Sequence, residues 1–354
     1  SPGLLEREGI IERRSDYSAG GKGGYSQRYR LALRLTTEPT VEVDLVLRQR
    51  TTSLPRPAKP SGPPVHPWLV ESYRALSLDL PAVLRELCAS VGLPELSTVA
   101  EVSAALEALP QAAQSASRVA ECRARLRMVE RWAGRNATRH HKLRRDAKVW
   151  RLHSPLTEFP SSIRRHLLLD GEPVATLDIR ACGLALRAAQ MRAEGATADP
   201  DVAAVCDMIE DTTRDPYVEF FRVVHKRELI LCERDAFKHD LLAELWFASI
   251  EAQLRSEVGR AVRDKYPGFH TYLLNRKREH GHAELANATM RLESTLIIDR
   301  LAVAFASAGV RLATVHDCVY VRASETERAR ALFERVLREC GVRASLTVSA
   351  PAVK

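Results

Sequence analysis

Apolar residues recur at three- and four-residue spacing through VLRELCASVGL (83–93), VAEVSAALEAL (99–109) and SRVAECRARLRMVERWAGR (117–135). That is the period at which side chains return to one face of a helix, so residues 68–148 read as helical. The pattern changes over EPVATLDIRACGLALRAAQ (172–190), where a compact apolar run, VATLDI, carries a carboxylate near its end and gives way to helical spacing. Residues 195–290 are again mostly helical, broken by the turn-rich GATADPD (195–201). In RLATVHDCVYVR (311–322) two short β-rich runs flank His316 and Asp317, with neither Gly nor Asn between them to make a plain turn. SETE (324–327) has the form of a capping box, with Ser324 as N-cap and Glu327 three residues on. The helix ERARALFERVLREC (327–340) follows it, and VRASLTVSAP (342–351) reads as a final strand. At the other end, residues 1–50 read as a short helical start, a Gly-rich turn (SAGGKGG, 18–24) and two β-rich runs, YSQRYRLAL (25–33) and TVEVDLVLRQ (40–49). Six prolines then make residues 52–67 an extended linker, the clearest boundary in the chain.

Composition narrows the class. With 354 residues, 45% of them hydrophobic and 28% charged, the chain has the material for two or three globular domains. No stretch approaches the length of uncharged apolar residues that a membrane span needs, so no membrane partner is expected. The opening SPGLLEREGIIERR lacks the basic-then-apolar layout of a secretory signal and lacks an initiator methionine, which suggests a fragment. Seven scattered cysteines without a C-x-x-C pair suit the reducing cytoplasm better than a disulfide framework or a zinc ribbon.

Charge adds a partner. The net charge is +8, yet residues 118–151 alone hold twelve Lys and Arg against three acids, with His140 and His141 beside them. A helix so loaded suits the phosphate backbone of a nucleic acid, where each cation displaces condensed counterions.

Three features carry candidate chemistry. Asp178 and Asp317 each sit beside β-type apolar residues, far apart in sequence. Two carboxylates brought onto adjacent strands repel unless a cation neutralises them. Hard Mg²⁺ is the natural partner, held by a few carboxylates, waters and substrate phosphates. Two such ions about 4 Å apart activate a 3′-hydroxyl and stabilise leaving pyrophosphate. In ERDAFKHDLLAELWFAS (233–249), Arg234 and Lys238 are four residues apart on one helix face, with Trp246 two turns beyond. That register suits a triphosphate and a stacked base.

The ordered set resembles family A DNA polymerases and the phage-type single-subunit RNA polymerases. RLHSPLTEFPSSIRRHLLLDGEPVATLDIRACGLAL (151–186) is similar to the stretch leading into their motif A, RDAFKHDLLAELWF to motif B, NATMRLESTLII (287–298) to the "N-A-x-M-Q" helix, and VHDCVYV to motif C. The resemblance covers about 150–350. It implies that Asp178 and Asp317 hold two Mg²⁺ (or Mn²⁺ as substitute), with Ile179 following the first of them at the metal site. It implies that Arg234 and Lys238 bind the triphosphate, that Gly183 and Trp246 contact the nucleotide, and that Arg151, His153, Ser154, Asn287, Arg291 and His316 approach the primer–template duplex. Departures are visible. Cys318 stands where the DNA polymerases have Glu and the RNA polymerases Ser, Arg291 stands where Gln is usual, and motif B has Trp246 in place of Tyr or Phe. Gly183 occupies the place of a bulky Glu under the sugar, leaving room for a 2′-hydroxyl.

The expected fold is α+β: a right-hand palm on a small antiparallel sheet (151–190 and 286–354), helical fingers (191–285), a reduced helical thumb (68–150), and an N-terminal winged-helix-like or β module (1–51). The expected function is template-directed nucleotidyl transfer to a primer 3′-hydroxyl on a primer–template duplex or single-stranded template, with nucleoside triphosphates as substrates and no proofreading exonuclease. RNA synthesis by a primase or small RNA polymerase is the alternative within the class. A non-catalytic nucleic-acid-binding protein is the alternative outside it.

Overall fold

The computed structural model describes residues 11–13, 29–31, 62–110, 117–138 and 143–350. The chain divides into two compact units, residues 1–58 and 59–354. In the first, β1 (Ile11–Arg13) pairs antiparallel with β2 (Tyr29–Leu31), Ile11 opposite Leu31 and Arg13 opposite Tyr29. Residues 11–13, expected in a helical start, are thus a strand. Pairing with a distant segment overrides a short local pattern, and the β-branched Ile11 suits it. The Gly-rich turn, the β-rich run at 40–49 and residues 52–61 of the linker lie outside the described residues, as do Arg139, His140, His141 and Lys142 of the basic segment.

The second unit is α+β. Its helices begin with α1 (Pro67–Arg74), α2 (Leu80–Ser90), α3 (Val99–Ala108) and α4 (Ser117–Thr138). The sheet is antiparallel throughout, in the order β3 (Leu76–Leu78), β6 (Leu167–Leu169), β7 (Glu172–Ile179), β9 (Cys318–Arg322), β8 (Ala313–Val315). A final strand, β10 (Leu346–Ser349), pairs with the C-terminal half of β7. A separate two-stranded ladder joins β4 (Arg144–Arg145) to β5 (Leu152–His153). Alternation sorts β7 by face: Leu177 and Ile179 are buried in the main core, while Thr176 and Asp178 lie on the opposite face.

Between β7 and β8 the chain builds a helical layer with a second core of its own. It runs through α5 (Cys182–Ala193), α6 (Pro200–Glu210), α7 (Pro216–His225), α8 (Arg234–Leu241), α9 (Ile250–Arg255), α10 (Glu257–Lys265) and α11 (Pro267–His280). Phe220, Phe269, Leu241 and Val262 are its centre. Helix α12 (His282–Ser294) returns the chain to the main core, continuing as a π-helical segment (Thr295–Leu301) and a short helix (Ala302–Ser307). After the hairpin, α13 (Thr326–Glu339) packs Phe333 and Val336 into that core. The expected capping box does not form. Ser324 instead gives its N–H (2.6 Å) and hydroxyl (2.8 Å) to the Glu172 carboxylate, tying the start of α13 to β7.

The joint between α1 and β8 fixes where the hairpin turn points. Fully buried Tyr73 donates its hydroxyl to the Thr314 carbonyl (2.8 Å), and the Thr314 N–H donates back to it (3.2 Å). Trp68 Nε1 adds a bond to the Val310 carbonyl at 2.8 Å. Tyr73→Phe leaves two buried backbone groups of β8 without partners, so it lowers stability by about 1–3 kcal/mol in urea unfolding. A change below about 0.5 kcal/mol refutes this account of the joint.

A second joint is titratable. Buried Lys277 on α11 donates to the Leu245 carbonyl (2.6 Å) and to Gln253 Oε1, holding the π-helical turn Leu242–Trp246 that ends α8. Burial pushes its pKa down to about 8, whereas in the unfolded chain it titrates near its ordinary value of about 10.4. Between those values the unfolded chain binds more protons, so the unfolding free energy rises with pH. The cost of the buried charge is fully present below pH 8 and is relieved as pH rises past it. Wild type therefore gains on the order of 1–3 kcal/mol relative to Lys277→Met between about pH 7.5 and 10. Parallel pH profiles of the two proteins contradict this.

Candidate active site

Asp178 stands one residue from the end of β7, directly opposite Cys318, the first residue of β9. Asp317 precedes Cys318 in the two-residue turn between β8 and β9, closed by the pair Val315 and Cys318. The topology therefore brings the two aspartates to one end of two central strands. His316 takes the positive φ, 58°, that a tight hairpin turn asks of its first central residue. Glycine usually meets that demand; His meets it at a cost. Ala181 (φ 51°), just before α5, and Trp150 (φ 59°), just before Arg151, are likewise forced into the left-handed region. Three such residues beside the candidate residues mark backbone held in place by the surrounding fold.

The electrostatics agree with the placement. Burial, and then Asp317 beside it, push the Asp178 carboxyl up to about 6, while Lys238 pulls the other way. A third carboxylate shares the floor. Glu293, on α12, is buried, and its carboxyl is raised by burial and by both aspartates, with Arg151 opposing. The Cys182 thiol is pushed up by burial and by the same acids.

Cations accompany the acids. On α8, exposed Lys238 lies 5.6 Å from the centre of the Tyr217 ring, and the Arg234 guanidinium lies 5.4 Å from it. Arg234 Nε also donates to Asp215 Oδ2 at 2.7 Å, and Asp215 caps α7. Tyr217, on α7, is buried between these cations and the acidic floor; burial raises its hydroxyl's pKa, with Asp317 among the contributors. A further cation, Arg151, is paired with Glu293 at 3.1 Å. The His316 imidazole is held below its ordinary value by desolvation and by Arg151.

Asp178, Asp317, Lys238, Arg151 and His316 are thus gathered in one place, with Arg234 joined to them through Tyr217. Gly183 stands in the first turn of α5, where an added Cβ would meet nothing within 4 Å. Ile179 offers only its backbone to this end of β7, since its side chain is in the core. Other expected contacts lie elsewhere. Trp246 is 3% exposed, packed against Phe220 and Phe269 in the second core, so no base can stack on it. Ser154 is buried in the α1–β8 joint, bonded to the Tyr73 hydroxyl, and does not face a duplex. Arg291 is occupied by Glu284 (2.6 and 3.0 Å) and the Lys148 carbonyl (2.8 Å). Asn287 also bonds Glu284, and exposed His153 lies 3.5 Å from Asp146. Within the basic segment, Arg145 is a buried clamp on Asp299 (2.6 and 3.1 Å), while Arg118, Arg127 and Arg131 on α4 are exposed.

Comparison with protein-family models finds none that matches the chain, and comparison with curated proteins finds no match.

Among the described residues no group of three or more His, Cys, Asp or Glu side chains converges as a ready-made metal cage. The donor set fits a hard cation all the same. Two carboxylates on one floor need a positive partner, and Mg²⁺ ordinarily takes one or two carboxylates and completes its octahedron with water and substrate phosphates. Sequence reasoning missed Glu293, Tyr217 and Cys182. The signals were present but bland: Glu293 lies two residues past Arg291 on the same helix, Tyr217 follows the Asp-Pro cap of α7, and Cys182 lies inside DIRACG.

Proposed function

We propose that the protein is a nucleotidyltransferase that extends a primer on a nucleic-acid template. The observation that carries this reading is the Asp178–Asp317 pair: two half-buried carboxylates, remote in sequence, the first of them pushed up by burial and by its neighbour and offset by Lys238. Such a pair is costly to keep without a cation, and a cation-loaded carboxylate pair opposite a basic helix suits a triphosphate. In this reading β7 to β10 are the floor of a palm, the α5–α11 layer forms fingers, and α1–α4 act as a reduced thumb.

Asp178 and Asp317 hold the divalent ions, which when bound polarise the attacking hydroxyl and the leaving phosphates. Lys238 and Arg234 neutralise the triphosphate, Asp215 and Tyr217 keep Arg234 in register, and Arg151 with His316 faces the primer end. Exposed Arg118, Arg127 and Arg131 track duplex phosphates. The open space at Gly183 favours a substrate with a 2′-hydroxyl, so ribonucleotides are a second reading within the same chemistry.

The test is incorporation on a primed template with Mg²⁺, comparing dNTPs with NTPs. Extension with either class supports the reading, and the preferred class chooses between DNA and RNA synthesis. Mg²⁺-independent nucleic-acid binding with no incorporation of either overturns it in favour of a binding protein.

A further inference from the structure

A cleft of about 560 Å³ lies between helix α2 and the β6–β7 hairpin, and it shares no lining residue with the candidate active site. Small-molecule sites occupy roughly 300–1,000 Å³. The space exists because of two small side chains. Ala82 and Ala89 lie two turns apart on one face of α2, and a larger residue at either place would fill it. Opposite them, Leu168 and its cross-strand partner Pro173 give an apolar wall. Backbone joins the two walls, since the Asp79 N–H donates to the His166 carbonyl at 2.9 Å. The shape is therefore set before anything enters, which lowers the cost of binding.

The polar groups of the rim are Arg85 and Glu86 from α2 and Arg165 and His166 from the turn before β6. Their bonds leave mostly donor capacity over. A single oxygen, Glu86 Oε2, accepts from Arg165 Nε (2.9 Å) and lies against Arg165 Nη2 and His166 Nε2, the last at 2.7 Å. Burial works against this carboxylate, but Arg165 and His166 outweigh it and keep it charged. Arg85 bonds Glu95 through Nε, at 2.9 Å. Asp79, the other acid of the rim, turns its Oδ1 to the Ala82 N–H of the helix it caps (3.2 Å). Among the described residues, Arg165 Nη1 and both terminal nitrogens of Arg85 have no hydrogen-bond partner, and both side chains are more than half exposed. Two guanidinium groups with free terminal N–H suit an oxyanion, above all a phosphate. One acceptor, Glu86 Oε1, is equally unbonded and suits a hydroxyl, while the apolar wall suits a flat, carbon-rich body.

We propose that the cleft between α2 and the β6–β7 hairpin binds a nucleoside 5′-monophosphate, free or at the end of a strand. Arg85 and Arg165 take the phosphate from two different elements, Glu86 Oε1 accepts from a sugar hydroxyl, and the base lies on Leu168 and Pro173. That wall offers no hydrogen bond to a base edge, so the bases bind alike. The site needs no divalent ion, and it stands whether or not the two aspartates transfer nucleotides.

Equilibrium dialysis of radiolabelled AMP in EDTA tests this with divalent ions removed from the other site. Wild type binds AMP at millimolar concentrations or below, and adenosine at least tenfold more weakly. Arg165→Met and Arg85→Met each weaken AMP binding at least tenfold, because each removes one of two charge-assisted contacts. Ala89→Leu does the same by filling the cleft without touching a charge. Its position is exposed and leucine is a good helix former, so the fold is kept. Arg260→Met, exposed on α10, and Asp317→Asn both stay within about twofold of wild type. CMP competes within about threefold of AMP. A 5′-phosphorylated oligonucleotide that competes better than AMP, and loses that advantage in Arg165→Met, names a strand end as the occupant; one that competes no better names the free nucleotide. Thermal unfolding of each variant identifies any that has lost its fold, and Ala89→Leu then decides. Absence of AMP binding at millimolar concentrations overturns the proposal. So do equal binding of adenosine, undiminished binding in Ala89→Leu, and a loss in Arg260→Met as large as in Arg165→Met.

Discussion

Asp317→Asn abolishes divalent-cation-dependent incorporation, by about 10³-fold or more in kcat, while the protein stays folded. A loss of that size is about 4 kcal/mol of transition-state stabilisation, within what a metal-binding carboxylate supplies. The substitution is nearly isosteric, and the turn that carries it is set by His316 and by the β8–β9 pair at Val315 and Cys318, neither of which it touches. Stability moves the other way. In the absence of metal, Asp178 is raised by burial and by Asp317, so removing one of two mutually repelling carboxylates raises the thermal midpoint by a few degrees. The two effects together separate a catalytic loss from a folding loss: primer extension reads the first and calorimetry the second. Incorporation within tenfold of wild type removes Asp317 from the chemistry. A lowered midpoint with inactive protein shows that the aspartate was structural.

That opposition between function and stability explains why this site could be read in the sequence at all. HDC between two β-rich runs breaks a local rule, because a charge and a non-glycine residue occupy a place that a plain hairpin gives to Gly or Asn. The structure meets the demand by forcing His316 to positive φ. The hairpin, helix and strand after residue 311 were legible for the opposite reason: their periods agree with their neighbours and with the core they fill. The strand-then-helix reading of residues 172–190 likewise became β7 and α5.

Where the reading failed, a partner distant in sequence had decided the outcome. Ser324 had the spacing of a cap, but its N–H and hydroxyl are both taken by the Glu172 carboxylate of β7. Trp246 was in helical register with Lys238, yet the α8 helix passes into a π-helical turn, which rotates the later residues, and Trp246 is buried beside Phe220. Spacing assumes 3.6 residues per turn, and a π-turn breaks that assumption. Glu293 and Tyr217 were invisible because neither residue is unusual where it stands in the chain. Each gains its meaning only from side chains brought up from other elements. The strand at residues 11–13 belongs with these, since its partner lies beyond the Gly-rich stretch.

Lys238→Met raises the KM for nucleoside triphosphate and lowers kcat, together reducing kcat/KM by about 10²–10³-fold, without changing the affinity for primer–template. Lys238 is the cation on α8 that offsets the charge of Asp178. Arg234 is already bonded to Asp215 and lies against the same Tyr217 ring, so it keeps its place when Lys238 is removed and retains part of the triphosphate affinity. For that reason the loss falls short of the loss from Asp317→Asn. The charge of Lys238 is exposed and its ring contact is loose, at 5.6 Å, so the fold does not depend on it and the unfolding midpoint is unchanged. Lys238→Arg keeps the charge but presents a planar fork where the site holds a point charge, and it recovers activity only in part. Steady-state kinetics against triphosphate, set beside primer–template binding by fluorescence anisotropy, separate the two substrates. A variant that loses duplex affinity but keeps its KM for triphosphate moves Lys238 to the nucleic-acid surface. The triphosphate site would then rest on Arg234 alone, and Asp215 would be its competitor for that guanidinium instead of its support.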